Sequence, residues 1–391
     1  MKKIDCCFLV TGNSKKTYQS LSKTYSAIEP PTWALLLAQS TRSAGFNVTI
    51  IDANAENLSE FQIYKRLIDQ SPKLICFVVY GQNVNAGTTN MTGVIDVSSY
   101  LKDKKINIPI SIIGSHVQAL PIETLKKEET IDFVFTNEAV YSLRNILKLN
   151  DFNTNQLSQI KGLAYRDGKT IKMTPPEKVV PTNKMDEDLP GYAWDLLPFN
   201  KNPLDLYRAP MWHAEYDFKK RTPYASLQTS LGCMFHCNFC MINIINRDDN
   251  EEIGIASNYS KMRFWSTDFI IKEFDKLISM GVKTIRIVDE MFLLNPKYYV
   301  PLCEKLAERN KDDSLRIWSY SRIDTVKRPE VLSLVRKAGI KWLALGIESG
   351  DKSVRLEVAK GKFEDVDVKK VIEKVHQADI HVMANYIFGL P

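Results

Sequence analysis

The residues best suited to chemistry lie in one eight-residue stretch, Cys233-Met234-Phe235-His236-Cys237-Asn238-Phe239-Cys240. Thiolates spaced by four and then three residues can converge on one small inorganic centre from a single loop. The number three is informative. A [4Fe–4S] cluster held by three cysteines keeps one iron open to a substrate, whereas electron-transfer clusters close with a fourth cysteine. Two other readings stand beside this one. Structural zinc takes four ligands, usually as separated pairs. His236 is the nearby fourth donor, but its place next to Cys237 should turn it away from a shared centre, and the chain has no second Cys-x-x-Cys pair. The last reading is three buried, inert thiols. Cys6, Cys7, Cys76 and Cys303 lie in apolar strand or helix contexts and are expected to be buried and unreactive.

The elements that must position this loop follow from alternating strand and helix signals. In the first 150 residues, apolar runs at 6–10, 48–51, 74–80, 109–113 and 131–135 read as strands. Leu74–Tyr80 is nearly continuous, as in a strand buried on both faces of a parallel sheet. Helices are expected from Pro30-Pro31-Thr32 to Ala44, over 92–104, and after Phe135. This pattern is a doubly wound (Rossmann-like) α/β domain, which binds ligands at the carboxyl ends of its strands. Residues 160–174 read as a hairpin turning at Asp167-Gly168. Seven of the 17 prolines fall in 175–210, so that stretch reads as a wrapping linker. Trp212-His213, at its end, reads as a packed anchor, with reach over a substrate mouth as the alternative. Strands at 225–231, 284–288, 316–320, 342–347 and 381–388, with helices between them, describe a parallel (β/α) barrel. Ser266 is the expected cap of the first of those helices. The division is therefore 1–150, a hairpin and linker at 151–222, and a barrel at 223–391. The sequence stops at Gly389-Leu390-Pro391, just after the fifth barrel strand, so a truncated barrel is expected.

Composition excludes several function classes. The 391 residues are 44% hydrophobic, enough for a sizeable core. The net charge of +6 is spread along the chain, and Asp217–Arg221 is a solvated face, so nucleic acid is not an expected partner. No apolar run approaches the ~20 residues a membrane helix needs. Clustered cysteines suit a reducing compartment. A cytoplasmic protein with no membrane partner is the expectation.

Cys-x-x-x-Cys-x-aromatic-Cys after the first strand of a (β/α) barrel resembles the radical S-adenosylmethionine (SAM) superfamily. The resemblance implies that Cys233, Cys237 and Cys240 hold a [4Fe–4S] cluster whose open iron is chelated by the amino and carboxylate groups of SAM. An electron from the cluster then cleaves the S–C5′ bond, and the resulting 5′-deoxyadenosyl radical abstracts hydrogen from an unactivated carbon. It further implies SAM contacts at successive strand ends. Asp289 or Glu290 would take the ammonium, in place of the Gly-Gly-Glu common in the superfamily. Ser321 and Arg322 would meet the carboxylate or ribose, and Glu348, in Gly346-Ile-Glu-Ser-Gly350, the ribose. Ile387 and Phe388 would lie along adenine, with Phe239 nearby.

The N-terminal segments Pro30-Pro31, Gly45-Phe-x-Val48, Asp52–Glu56 and Gly114-Ser115-His116-Val117, with Trp194–Pro198, resemble the cobalamin-binding domain that precedes many radical SAM barrels. The resemblance puts Gly81, Gln82, Asn83, Gly114, Ser115, His116, Asn137 and Glu138 at the cofactor. The loop Thr11–Lys15 lacks the histidine that supplies a lower cobalt ligand in many such domains. The implied activity is cobalamin-dependent C-methylation of a small-molecule or natural-product substrate, fed by an external donor of flavodoxin or ferredoxin type. The alternatives are a radical cyclase or rearrangement enzyme that transfers no methyl group, and a non-catalytic metal-binding or scaffold protein.

Overall fold

Apolar runs bounded by turn residues become two parallel sheets. The computed structural model describes residues 3–12, 19–22, 24–81, 84–235, 237–243, 261–326, 329–358 and 366–390. The chain divides into two units. One is drawn mainly from residues 31–199, and the other from 27–30, 200–240 and 260 onward.

In the first unit, β1 (Cys6–Val10), β2 (Val48–Asp52), β3 (Leu74–Val79), β4 (Ile110–Gly114) and β5 (Phe133–Phe135) pair in parallel in the order 2-1-3-4-5. That is a doubly wound order with its switch point between β1 and β3. All six residues of β3 are buried, as its unbroken apolar run implies. The hairpin β6 (Leu163–Asp167) and β7 (Thr170–Met173) extends this sheet antiparallel beyond β5. Its connection is Gly168-Lys169, one residue later than expected, with Gly168 at φ +60°. The helix Thr32–Ser43 forms as expected. A helix at Glu60–Gln70 went unread although its capping box, Ser59 with Gln62, is a sequence signature. Cys6, Cys7 and Cys76 are fully buried here, and burial pushes the Cys7 thiol up to about 12.

In the second unit, β8 (Tyr224–Leu227), β11 (Thr284–Ile287), β12 (Arg316–Arg322), β13 (Ile340–Glu348) and β14 (His381–Tyr386) form one all-parallel sheet with β14 at its edge. Ser266 caps the helix Thr267–Ser279 by accepting from the Phe269 N–H, and Ile270, Phe274 and Leu277 are fully buried beneath it. The strand expected over 225–231 breaks after Leu227. Ser230–Leu231 (β9) leaves the sheet and pairs antiparallel with Arg263–Phe264 (β10), which gives the cysteine loop its own short base. Cys303 is fully buried in the helix Pro296–Arg309.

The amino-terminal half of this sheet is filled. Trp212 packs against Trp318 and Trp342, with ring centroids 5.2 and 4.9 Å apart. His213 is fully buried, and its Nε2–H donates to the Arg316 carbonyl at 2.9 Å, at the start of β12. Trp212-His213 is thus a packed anchor. Arg286 is buried over the Trp318 ring (4.6 Å) and pairs with Glu29 of the 27–30 segment at 2.5 Å. Among the described residues, no helix is long and apolar enough to cross a membrane.

Candidate functional site

The carboxyl ends of the second sheet gather the residues that the sequence singles out. Cys233 follows β9 through Gly232, whose φ of +85° and close approach to the Lys261 carbonyl suit glycine. The Phe235 N–H points at Cys233 Sγ (3.5 Å), and the Cys240 N–H donates to the Cys237 carbonyl (3.1 Å). Burial pushes the Cys233 thiol up to about 12, and the charges of Glu290, Cys240 and Cys237 push the same way. Cys237 is raised chiefly by burial, with Arg322 opposing. A buried thiol whose ionisation the neighbouring thiols disfavour suits a cationic centre, which would hold it as a thiolate. Among the described residues, no three His, Cys, Asp or Glu side chains are already drawn round a metal-sized centre. His236, the zinc alternative, lies outside the described residues.

The structure separates two adjacent carboxylates that the sequence could not. Asp289 is buried, and its oxygens accept from the Thr229 N–H (2.6 Å), Thr229 Oγ1 (2.5 Å) and Ser230 Oγ (2.7 Å). It therefore fixes the root of the cysteine loop, and Tyr298 reinforces it by donating to the Thr229 carbonyl at 2.7 Å. Glu290 has capacity left: its Oε2 is buried with no hydrogen-bond partner among the described residues. Burial first, then the neighbouring Asp289 charge, pushes its carboxyl up to about 8. An orphaned buried carboxylate oxygen beside Cys233 fits a cationic ligand group.

Ser321 and Arg322 face opposite sides of β12. Ser321 Oγ accepts from the Leu293 N–H (3.1 Å) and holds the turn after β11, so it serves the fold on the side away from Arg322. Arg322, expected to meet a carboxylate ligand, is already forked onto buried Asp324 by two 2.6 Å bonds and lies over the Phe235 ring. Glu348 ends β13 at φ +68°, a costly conformation for a residue with a side chain, and the register with β14 shifts there. Its carboxylate folds over Gly346, where a Cβ would come within 2.5 Å of Oε1. Burial lifts it to about 7, with Arg322 opposing. The Ile387 N–H donates to the Glu348 carbonyl (2.9 Å), while the Phe388 side chain is fully outward. Phe239 is half-buried. Thr229, Ser230, Phe235 and Asp324 were not singled out from the sequence. The Arg-x-Asp spacing of 322–324 was the one available signal.

In the first unit, Gly81, Gly114, Ser115, His116, Asn137 and Glu138 sit at or just beyond the carboxyl ends of β3, β4 and β5. Gln82 and Asn83 lie outside the described residues, as do 13–15 of the loop after β1. A Cβ on Gly81 would strike the Ala86 backbone, and one on Gly114 the Val79 backbone. Ser115 Oγ is buried without a hydrogen-bond partner among the described residues. His116 Nδ1 meets Thr88 Oγ1 at 2.9 Å, and burial lowers its pKa. Asn137 and Glu138 also bind the chain beyond the hairpin. Both are buried and spent on the chain at 177–180: Asn137 Nδ2 donates to the Glu177 carbonyl (2.6 Å), and Glu138 Oε1 accepts from the Val180 N–H (2.5 Å). They tie that segment to the sheet.

Two known families match parts of the chain. Residues 227–391 match the radical SAM superfamily, and residues 20–147 match the B12 binding domain. An uncharacterized methyltransferase of Pyrococcus horikoshii is 24% identical over 379 residues, 96% of this chain and 72% of its own length. The anaerobic magnesium-protoporphyrin IX monomethyl ester cyclase of a Synechocystis species is 22% identical, over 92% of this chain and 64% of its own. The solved cobalamin-dependent SAM radical enzyme OxsB, with aqua-cobalamin and SAM bound, superposes with a TM-score of 0.71 at 17% identity. That match covers 98% of this chain and 49% of OxsB, and it is a likeness of fold. The chain thus spans about half to seven tenths of the length of these proteins.

Proposed function

We propose, for a chain that belongs to the radical SAM family with an N-terminal B12-binding domain, that it is a cobalamin-dependent radical SAM C-methyltransferase acting on a small-molecule or natural-product substrate. The observation that carries this is the orphaned Glu290 Oε2 at the strand edge where the three-cysteine loop begins. The five-stranded sheet is then the first part of a partial (β/α)6 barrel. When bound, the [4Fe–4S] cluster and SAM supply one-electron cleavage of the S–C5′ bond, and cobalamin supplies a methyl group to the activated carbon.

The chain's own residues bind and orient these groups. Cys233, Cys237 and Cys240 hold three irons. Glu290, ionised as the ligand arrives, takes the SAM ammonium. Glu348 accepts from the ribose hydroxyls, while the backbone of Ile387 and Phe388, together with Phe239, flanks adenine. Asp289 keeps the loop root fixed through Thr229 and Ser230. In the first unit, Gly81 and Gly114 keep the strand tips flat, and Ser115 and His116 offer the polar contacts. A flavodoxin or ferredoxin supplies the electron. The likeness to a cyclase over 92% of the chain favours, as second reading, a radical cyclase that transfers no methyl group.

The test is anaerobic reconstitution followed by assay for iron, sulfide, extracted cobalamin, 5′-deoxyadenosine and S-adenosylhomocysteine. Both nucleoside products are expected. Deoxyadenosine without homocysteine selects the cyclase reading, and zinc without iron overturns the radical reading.

A further inference from the structure

Arg322 is buried at the end of β12, and three contacts fix its guanidinium. Its fork onto Asp324 uses Nε and Nη2 at 2.6 Å each, with both side chains about 5% exposed or less. One face covers the Phe235 ring, 3.5 Å from the centroid. Phe235 sits between the first two cysteines, and its N–H points at Cys233 Sγ. The chain of contacts Asp324–Arg322–Phe235–Cys233 therefore runs from the sheet into the cysteine loop.

We infer that Arg322 is a positioning residue that clamps the cysteine loop through Phe235 and adds positive charge to the cluster's surroundings, rather than a grip for the SAM carboxylate. The inference rests on the radical SAM reading and deepens it. The fork commits Nε and Nη2 to Asp324 and the flat face to Phe235, so the plane of the guanidinium is fixed by the chain itself. Arg322 also brings a fixed positive charge over Phe235, inside the loop that carries Cys233 and Cys237. A cluster gains negative charge on reduction, so a nearby net cation raises its potential.

The experiment compares wild type, Arg322→Gln and Arg322→Lys, all reconstituted anaerobically. Its readouts are iron per chain, EPR-monitored reduction potential and SAM binding by equilibrium dialysis. Arg322→Gln should shift the potential to more negative values and weaken iron retention by about 10-fold or more, as losses around a metal site do. Arg322→Lys keeps the charge but loses the fork and the flat stack, so the potential should stay near wild type while iron retention falls. SAM affinity at full iron loading should stay within about threefold for both, a difference of under 1 kcal/mol. An unchanged potential in Arg322→Gln with SAM binding weakened by about 10-fold or more would overturn the inference and restore the carboxylate role. Phe235→Leu tests the clamp if the arginine variants fold poorly: iron retention should fall, and unchanged retention sinks it. Wild type that takes up no iron would instead remove the radical SAM reading itself.

Discussion

The two ends of the second sheet use similar residues in opposite ways. At the amino-terminal half, Arg286 is paired with Glu29 and covered by Trp318, and His213 is locked onto the Arg316 carbonyl. At the carboxyl edge, Glu290 has a buried oxygen without a hydrogen-bond partner among the described residues, and Glu348 is held in a left-handed conformation. Burial raises both of those carboxyls. One end pairs its charges within the fold, although His213 Nδ1, Trp318 Nε1 and Trp342 Nε1 there are buried without hydrogen-bond partners among the described residues. The other keeps a strained backbone and a buried carboxylate oxygen that no described residue satisfies.

The cysteine loop should show the widest separation between the two ends. Replacing Cys233, Cys237 or Cys240 by Ala should abolish deoxyadenosine formation and the cluster's visible absorbance. The thermal midpoint of the metal-free chain should move by no more than about 4 °C. A collapse of the apo fold would show that the loop also serves stability. The reverse pattern is expected at the other end. Glu29→Ala strands the Arg286 charge and should cost ~3–5 kcal/mol in urea unfolding. Adding Arg286→Met should recover much of that loss, because a well-packed apolar replacement of a buried pair is often neutral. If the double variant is as unstable as the single, the pair matters for more than its charges.

Glu290→Gln tests the orphaned oxygen directly. It should keep the cluster and weaken SAM binding by about 10-fold, roughly 1.4 kcal/mol. Asp289→Asn should instead lower iron content, because Asp289 holds Thr229 and Ser230 rather than the ligand. Equal effects of the two on SAM affinity would erase the distinction between them. A further effect concerns acid. Burial lowers the His213 pKa from 6.5 to about 3, so the folded state keeps the ring neutral. The unfolded chain binds the extra proton, so the stability that neutral His213 permits is present above 6.5 and lost as pH falls toward 3. Unfolding should therefore take up about one proton in that window, and His213→Gln should flatten the dependence. An unchanged slope in that variant would place the acid sensitivity elsewhere.

Much of the architecture was legible because it is written in local patterns. Leu74–Val79 announces a doubly covered strand, and Ser266 announces a helix start. The break after Leu227 was not legible. It depends on Asp289 capturing Thr229 and Ser230, and parallel pairing of β8 with β11 brings together residues sixty positions apart. The hydrogen bonds of Asn137 and Glu138 to the chain near residues 177–180 were not legible for the same reason.

By itself, then, the sequence determined which residue types stand at the strand ends, because strand periodicity and motif spacing are short-range. Only the tertiary structure decided which of them are already satisfied. Asp289 and Glu290 are adjacent and chemically alike, and Arg322 is as suited to a ligand carboxylate as to Asp324. The choice rests on hydrogen bonds closed across the fold, where burial makes an unpaired oxygen costly and a paired one fixed.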